Sequence, residues 1–409
     1  MITSEPRVDL PAVLGGEPVR RVFLSFSQPR LSEGEINAVV DTLRSGWLTT
    51  AGRAQAFEND FRTFVGTKHA IALNSCTAGL FLSLKVLDVG PGDEVITTPL
   101  TFAAGVNVIE HLGARPVFAD IDPETWCIDP CEVRKRVTGA TKALIPVHLY
   151  GMPCDMSALA SIAAGSGFRI VQDCAHAIEA RWDGRNPATY GDLACYSFYA
   201  TKNVTTGEGG MVATDRDDWA DRLRVLALHG LDHSAYDRYS ADGKALLYDL
   251  REPGYKFNMP DTAAALGVEG LRRVEERLKI RERFWSRYVG ELGDLPGLTF
   301  QPEPPGGSRH SRHLFVCAVD PDKAGIDRNG MVEALRAENI GTGIHYTPVH
   351  EFTYYREKYG ISRDDLPNAS RIGDRVLSLP LTPFLSDEDV DDVVRAVRRI
   401  VLHYSRNGS

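Results

Sequence analysis

The sequence predicts an α/β protein, with a large domain on a mostly parallel sheet covered by helices and a small α+β domain at the C-terminal end. Two observations carry this. Short apolar runs alternate with helix-period stretches from about residue 70 to residue 213, the pattern of buried parallel strands joined by crossover helices. The composition then shifts near Asp294-Leu295-Pro296-Gly297, and Gln301-Pro302-Glu303-Pro304-Pro305-Gly306-Gly307 is a breaker-rich loop. A chain of 409 residues exceeds the size that one core usually supports. The expected division is residues 1–295 and 296–409.

The elements follow in order. Ser32-Glu33-Gly34-Glu35 is a capping box, and Ile36, Val39, Val40 and Leu43 continue at helical spacing. Phe57, Phe61, Phe64 and Val65 mark a second helix with one apolar face. Ala70–Leu73 reads as a buried strand and Thr77–Val89 as a helix. Glu94–Thr97 is strand-like and Phe102–Leu112 helical. Pro116–Ala119, Ala143–Val147 and Phe168–Val171 continue the strands, with helices around Cys131–Val137 and Met156–Ala164. Leu193–Phe198 and Gly209–Ala213 are two further strands. A helix rich in Arg and Glu is expected over Val268–Tyr288. Beyond the loop, Leu314–Val319 is a strand, Arg328–Glu338 a helix and Val390–Tyr404 a closing amphipathic helix.

Composition narrows the partners. A hydrophobic content of 43% with 25% charged residues is that of an ordinary soluble globular protein. The net charge of −9 argues against nucleic acid or an anionic membrane as the main partner. No apolar run approaches membrane-spanning length, and the N-terminus lacks a signal-peptide pattern. Seven scattered cysteines form no disulfide framework, and Cys127 and Cys131 lack the companions of a zinc site. The expectation is a reduced cytoplasmic protein without a metal.

One run concentrates the chemistry. Lys202 sits in Ser197-Phe198-Tyr199-Ala200-Thr201-Lys202-Asn203, a Ser/Thr-rich loop between two apolar strands. Shielding of that kind lowers a lysine's pKa toward the nucleophilic range. Upstream, Asp173 and His176 follow the strand Phe168–Val171. Downstream, Gly207-Glu208-Gly209-Gly210 opens a tight turn. An amine, a buried carboxylate and a glycine-rich turn are the set needed to hold pyridoxal phosphate. The lysine forms the Schiff base, and Asp173 keeps the pyridine nitrogen protonated. His176 would reach the cofactor's phenolic oxygen or orient Asp173. Asn74-Ser75-Cys76-Thr77 begins a helix after a strand, so its backbone N–H groups and the Thr77 hydroxyl make a phosphate site. Ser197 adds a hydroxyl. Phe102 either stacks on the cofactor ring or packs in the core. Gly90-Pro91-Gly92 is not a dinucleotide loop, since Val95 stands where a third glycine belongs and the loop precedes a strand.

Taken in order, these residues resemble the DegT/StrS family of sugar aminotransferases. The resemblance runs from Phe23 to about Leu402. It includes Ser45-Gly46-Trp47-Leu48-Thr49-Thr50, Gly90–Ile96, Pro253–Met259 and Ile344-His345-Tyr346. It implies the aspartate-aminotransferase-like fold (PLP fold type I) and a homodimer with shared active sites. It also implies Lys202 as catalytic lysine, with Asp173, His176, Cys76, Thr77, Ser197 and Phe102 around the cofactor. Lys256 or Asn258 would reach the phosphate from the neighbouring subunit, and Thr49, His345 and Tyr346 would lie near the sugar. Tyr199 stands where a histidine often precedes the lysine.

The implied activity is transfer of an amino group from L-glutamate to a keto sugar. The stretch His229–Arg238 is closest to members that aminate C-4 of a nucleotide-linked sugar. Arginine heavily outnumbers lysine and alanine is abundant, which hints at a GC-rich bacterial genome and, on that basis, at an amino sugar for an antibiotic or a surface polysaccharide. Alternatives are a keto-cyclitol or 3-keto sugar as acceptor, or a PLP-dependent sugar dehydratase, whose members carry histidine in place of the lysine.

Overall fold

The structure, a computed structural model, describes residues 10–232 and 248–407. The alternating pattern folds into a seven-stranded sheet of β1 (His69–Leu73), β2 (Glu94–Thr97), β3 (Arg115–Phe118), β4 (Thr141–Ile145), β5 (Arg169–Asp173), β6 (Leu193–Ser197) and β7 (Gly210–Thr214). Their order is β1-β7-β6-β5-β4-β2-β3. The five strands from β6 to β3 pair in parallel, while β7 is antiparallel to both β6 and β1. The carboxyl ends of β1, β5 and β6 therefore share one edge, where ligands of such sheets bind.

Both faces are covered. Leu80 and Leu84 of the Cys76–Val86 helix, Val108 and Ile109 of Ala104–His111, and Leu223 of Asp217–Ala227 pack against Val212 and Cys195 on one face. On the other, Phe57 and Phe61 of Gly52–Val65 meet Tyr196, Phe198 and Val268. Met156, Leu159 and Ile162 cover the rest beside Trp126. This double burial is why the strands read as continuous apolar runs rather than alternating ones.

A second sheet, β8 (Leu298–Phe300), β9 (Phe315–Val319) and β10 (Val376–Leu379), is antiparallel in the order β10-β9-β8. Its core joins Phe315 and Leu377 to Met331, Leu335, Val393 and Val397. Val19 and Leu24, from the start of the chain, pack on this same core.

Of the boundaries that differ from the sequence expectation, three bear on the site. The Val268–Tyr288 helix is two, Asp261–Arg272 and Val274–Leu292, broken where Arg273 leaves helical angles (φ −106°, ψ 1°). The first buries Ala264 and Val268 under the large sheet, and the second sends Phe284, Trp285 and Tyr288 into the small core. A change of partner thus sits inside one unbroken periodic stretch. Its Arg and Glu are not all surface pairs either: Arg277 and Arg281 are buried, bonded to Glu35 and Glu179 far away in sequence. Helix Ala104–His111 starts two residues later than expected, because Phe102 turns out to solvent instead of opening it. The helix expected at Thr77 runs Cys76–Val86, with Ser75 capping it by accepting from Ala78 N–H.

Gly210 pairs with both Leu73 and Ser197. A Cβ there would lie 2.3 Å from the carbonyl carbon of Ser75 and 2.5 Å from the backbone nitrogen of Cys76. Only glycine lets the start of the Cys76–Val86 helix rest on the sheet. We expect Gly210→Ala to lower unfolding stability by about 1–3 kcal/mol, checked by denaturant titration, and to weaken binding of any anion held at that helix start.

Candidate active site

A cavity of about 520 Å³ opens where β5 and β6 end and the Cys76–Val86 helix begins. Lys202, Asp173 and His176 line it together, as do Cys76, Thr77 and Ser197. Phe102, His345 and Tyr346 complete the expected residues found there.

Lys202 lies in the turn after β6, its N–H donating to Tyr199 C=O at 2.9 Å. Burial lowers its amine to about 8, against the opposing pull of the Asp173 carboxylate. Asp173 ends β5. Burial raises its carboxyl above the ordinary range, while Ala175 N–H and Lys202 act the other way. Ala175 N–H donates to its Oδ1 at 2.9 Å. Among the described residues neither its second oxygen nor the Lys202 amine takes a side-chain hydrogen bond.

His176 is oriented by backbone, not by Asp173. Tyr150 N–H donates to its Nδ1 at 3.2 Å. The hydrogen therefore sits on Nε2, 3.2 Å from the Tyr346 hydroxyl. Its expected alternative task, orienting Asp173, is not seen. Burial, with Lys202, His313 and His345 nearby, holds its pKa well below the usual imidazole value. Phe102 is 63% exposed, so it is no core residue. Its ring centroid lies 6.0 Å from that of Tyr346.

The first turn of the Cys76–Val86 helix offers backbone N–H groups to the cavity, with the Thr77 and Ser197 hydroxyls beside them. The Cys76 thiol is pushed well up by burial and by Asp173, so it stays protonated there. Thr49, Lys256 and Asn258 do not line the cavity of their own chain. Thr49 and Lys256 are exposed, and the Asn258 amide donates to Thr50 Oγ1 at 2.6 Å.

Residues not singled out from the sequence also line the cavity: Arg277, Arg281, Asn203, His313 and Arg30. Asn203, directly after Lys202, was the one within reach of a sequence signal. The others are brought in by long-range packing. The stretch His229–Arg238 is described only to Asp232, so Ser234–Arg238 and His233 lie outside the described residues. Among the described residues no group of three His, Cys, Asp or Glu is placed to hold a metal. No helix among them is long and apolar enough to cross a membrane.

The donor set fits pyridoxal phosphate: an amine of lowered pKa, a buried carboxylate with one oxygen unbonded, and a helix start that Gly210 leaves open. In this fit Lys202 would hold the aldehyde carbon, Asp173 the ring nitrogen and the Cys76–Thr77 turn the phosphate.

Comparison with known proteins agrees. Residues 29–398 match the sequence profile of the DegT/DnrJ/EryC1/StrS aminotransferase family. The chain is 48% identical over 383 residues to the spore coat polysaccharide biosynthesis protein SpsC of Bacillus subtilis, covering 93% of this chain and 98% of that one. The PMP form of Spr1654 from Streptococcus pneumoniae, described as a sugar aminotransferase, superposes with a TM-score of 0.86 at 32% identity. That match covers 93% of this chain and 100% of the other, and the PLP form matches as well. DesI, solved with its TDP-sugar product, gives a TM-score of 0.83 at 32% identity over 98% of this chain and 97% of its own.

Because the folded amine titrates near 8, only its deprotonated form, dominant above that value, can attack an aldehyde. Imine formation in cofactor-free protein should rise about tenfold per pH unit below 8 and level off above it, checked by the visible absorbance that follows addition of pyridoxal phosphate.

Proposed function

Since the chain belongs to the DegT/DnrJ/EryC1/StrS aminotransferase family and is a PLP-dependent sugar aminotransferase of fold type I, we propose that it moves an amino group from L-glutamate to a nucleotide-linked 4-keto-deoxy sugar. The observation that carries this is the Lys202 amine, lowered to about 8 beside the buried Asp173 in a cavity with room for a sugar. When bound, pyridoxal phosphate supplies an aldehyde that exchanges amines and a cationic ring that withdraws electrons.

The chain's residues do the rest. Asp173 would keep the ring nitrogen protonated through a charge-assisted hydrogen bond. Lys202, its amine lowered to about 8 by burial, would be the group that takes up and returns a proton in this cavity. His176 would donate through Nε2 to the ring oxygen. Phe102 would lie against the ring, and the Cys76–Thr77 turn with Ser197 would hold the phosphate. His345 and Tyr346 border the sugar.

The TDP-sugar product of DesI supports a nucleotide sugar as acceptor. The name of SpsC favours an amino sugar for a polysaccharide over one for an antibiotic. The presence of Lys202 argues against sugar dehydration. The enzyme works as a cytoplasmic homodimer, in which Lys256, Asn258 and Thr49 serve the neighbouring site. The exposure of Lys256 and Thr49 outside their own cavity supports that arrangement.

A panel of keto sugars and keto-cyclitols with L-glutamate, read by release of 2-oxoglutarate, tests the acceptor. Turnover should be highest with a 4-keto nucleotide sugar, and preference for a cyclitol or a 3-keto sugar would overturn that assignment. Lys202→Ala should abolish it. Mixed in equal amounts and allowed to exchange, Lys202→Ala and Lys256→Ala subunits should regain about a quarter of wild-type activity, since half the dimers are mixed and each has one intact site. No recovery would mean self-contained sites.

A further inference from the structure

Three imidazoles surround Lys202: His176, His345 and His313. The first two belong to the reading above, and His313 has no role in it. Its surroundings leave it a single hydrogen-bonding state. Glu179, fully buried, is bonded to the buried Arg281 guanidinium and accepts from the Ser311 hydroxyl. It also accepts from Asn203 Nδ2 at 2.8 Å, and that same nitrogen donates to Ser311 C=O at 3.2 Å. With its nitrogen committed to two acceptors, the Asn203 amide must turn its oxygen the other way. Oδ1 lies 3.0 Å from His313 Nδ1, and an amide oxygen only accepts. The His313 hydrogen is therefore on Nδ1, and Nε2 is a bare lone pair. Among the described residues that nitrogen has no partner, and the ring lines the cavity.

His176 has the opposite tautomer, since Tyr150 N–H occupies its Nδ1. The two rings lie 4.5 Å apart, centroid to centroid. The cavity wall beside Lys202 thus carries one imidazole donor and one imidazole acceptor. Burial and the Lys202 and Arg281 cations hold His313 neutral, so it accepts a hydrogen bond without taking the proton.

Resting on the sugar-aminotransferase reading, we propose that His313 Nε2 accepts a hydrogen bond from a hydroxyl on a carbon next to the one aminated, and so selects the keto sugar. The amino donor does not use it. Glutamate at neutral pH has two carboxylates, which a lone pair repels, and its nitrogen is the atom transferred. A sugar bears hydroxyl hydrogens and no carboxylate. An acceptor-only group therefore separates the two substrates that share this cavity. A buried acceptor left unpaired is costly, so a sugar lacking the hydroxyl is rejected rather than merely bound less well.

Single-turnover measurement of each half-reaction tests this with His313→Leu and His313→Gln. The sugar half-reaction should lose roughly tenfold to a hundredfold in kcat/KM with the hydroxylated keto sugar. His313→Gln, which keeps an acceptor, should recover part of that. With the matching deoxy sugar His313→Leu should lose nothing or gain, and the glutamate half-reaction should fall far less than the sugar one. Equal losses for hydroxylated and deoxy sugars, or for both half-reactions, would overturn the proposal. Failure of wild-type enzyme to aminate any keto sugar after a normal glutamate half-reaction would instead defeat the underlying functional reading. Nitrogen-15 NMR of wild-type protein gives a second check: His313 should show a protonated Nδ1 and a bare Nε2, and the reverse tautomer ends the idea.

Discussion

Asp173 and Lys202 are each penalised by burial and each relieved by the other. Burial alone pushes a carboxyl up and an amine down until neither is ionised near neutral pH. Side by side, the carboxylate resists the fall of the amine, which stops at about 8, and the ammonium resists the rise of the acid. Both groups stay titratable on the wall of the cavity. This depends on topology. Asp173 closes β5, Lys202 follows the adjacent β6, and the register of Asp173 with Cys195 fixes their approach. The antiparallel insertion of β7 then brings the carboxyl end of β1, with the Cys76–Val86 helix start, to the same edge.

Behind that pair lies a polar layer that is costly to build. Arg281 and Glu179 are almost completely buried, and a buried ion pair stabilises little unless its remaining donors and acceptors are met. Here Ser311, Asn203 and the Arg312 carbonyl meet most of them. Breaking such a pair leaves a bare buried charge, so its geometry is held stiffly. That stiffness passes to Asn203, the residue next in chain to Lys202, and through it to His313. The layer joins the Val274–Leu292 helix, the turn after β6 and the segment before β9.

Local chemistry made much of this legible. The strand–helix alternation, the Ser32 capping box and the residues around Lys202 all depend on neighbours within a few positions, and each is found. What escaped depends on residues far apart in sequence. Helix Gly52–Val65 has no capping side chain of its own, and Asp261 supplies one by accepting from Ala51, Arg53 and Ala54 N–H at 2.7–3.0 Å. Glu35 was readable as a capping-box residue. Its second task, bonding the buried Arg277 at 2.9 Å, was not. Arg277 and Arg281 look like any solvated helix arginines because helical spacing reports only one helix's own face. His313 is invisible for the same reason: nothing near it in sequence bears on Lys202.

One turn explains how distant imidazoles converge on that amine. Tyr150, fully buried, has φ +60° and ψ 0°, a left-handed conformation costly for a bulky residue. Gly151 follows at φ +109°, where a Cβ would meet Ser311, Arg312 and the His176 carbonyl oxygen at 3.0–3.1 Å. Such a dipeptide persists only if its surroundings over-determine it, and they do. Tyr150 N–H fixes the His176 tautomer, its carbonyl accepts from His313 N–H at 3.2 Å, and its hydroxyl donates to the His345 carbonyl. Gly151 C=O accepts from Ser311 N–H at 2.9 Å. A single strained residue thus touches all three histidines around Lys202, through three different groups. Relaxing it to an ordinary turn would release every one of those contacts together. The strain is therefore part of how the site is assembled, because from this one position Tyr150 presents an N–H, a carbonyl and a hydroxyl to those three partners.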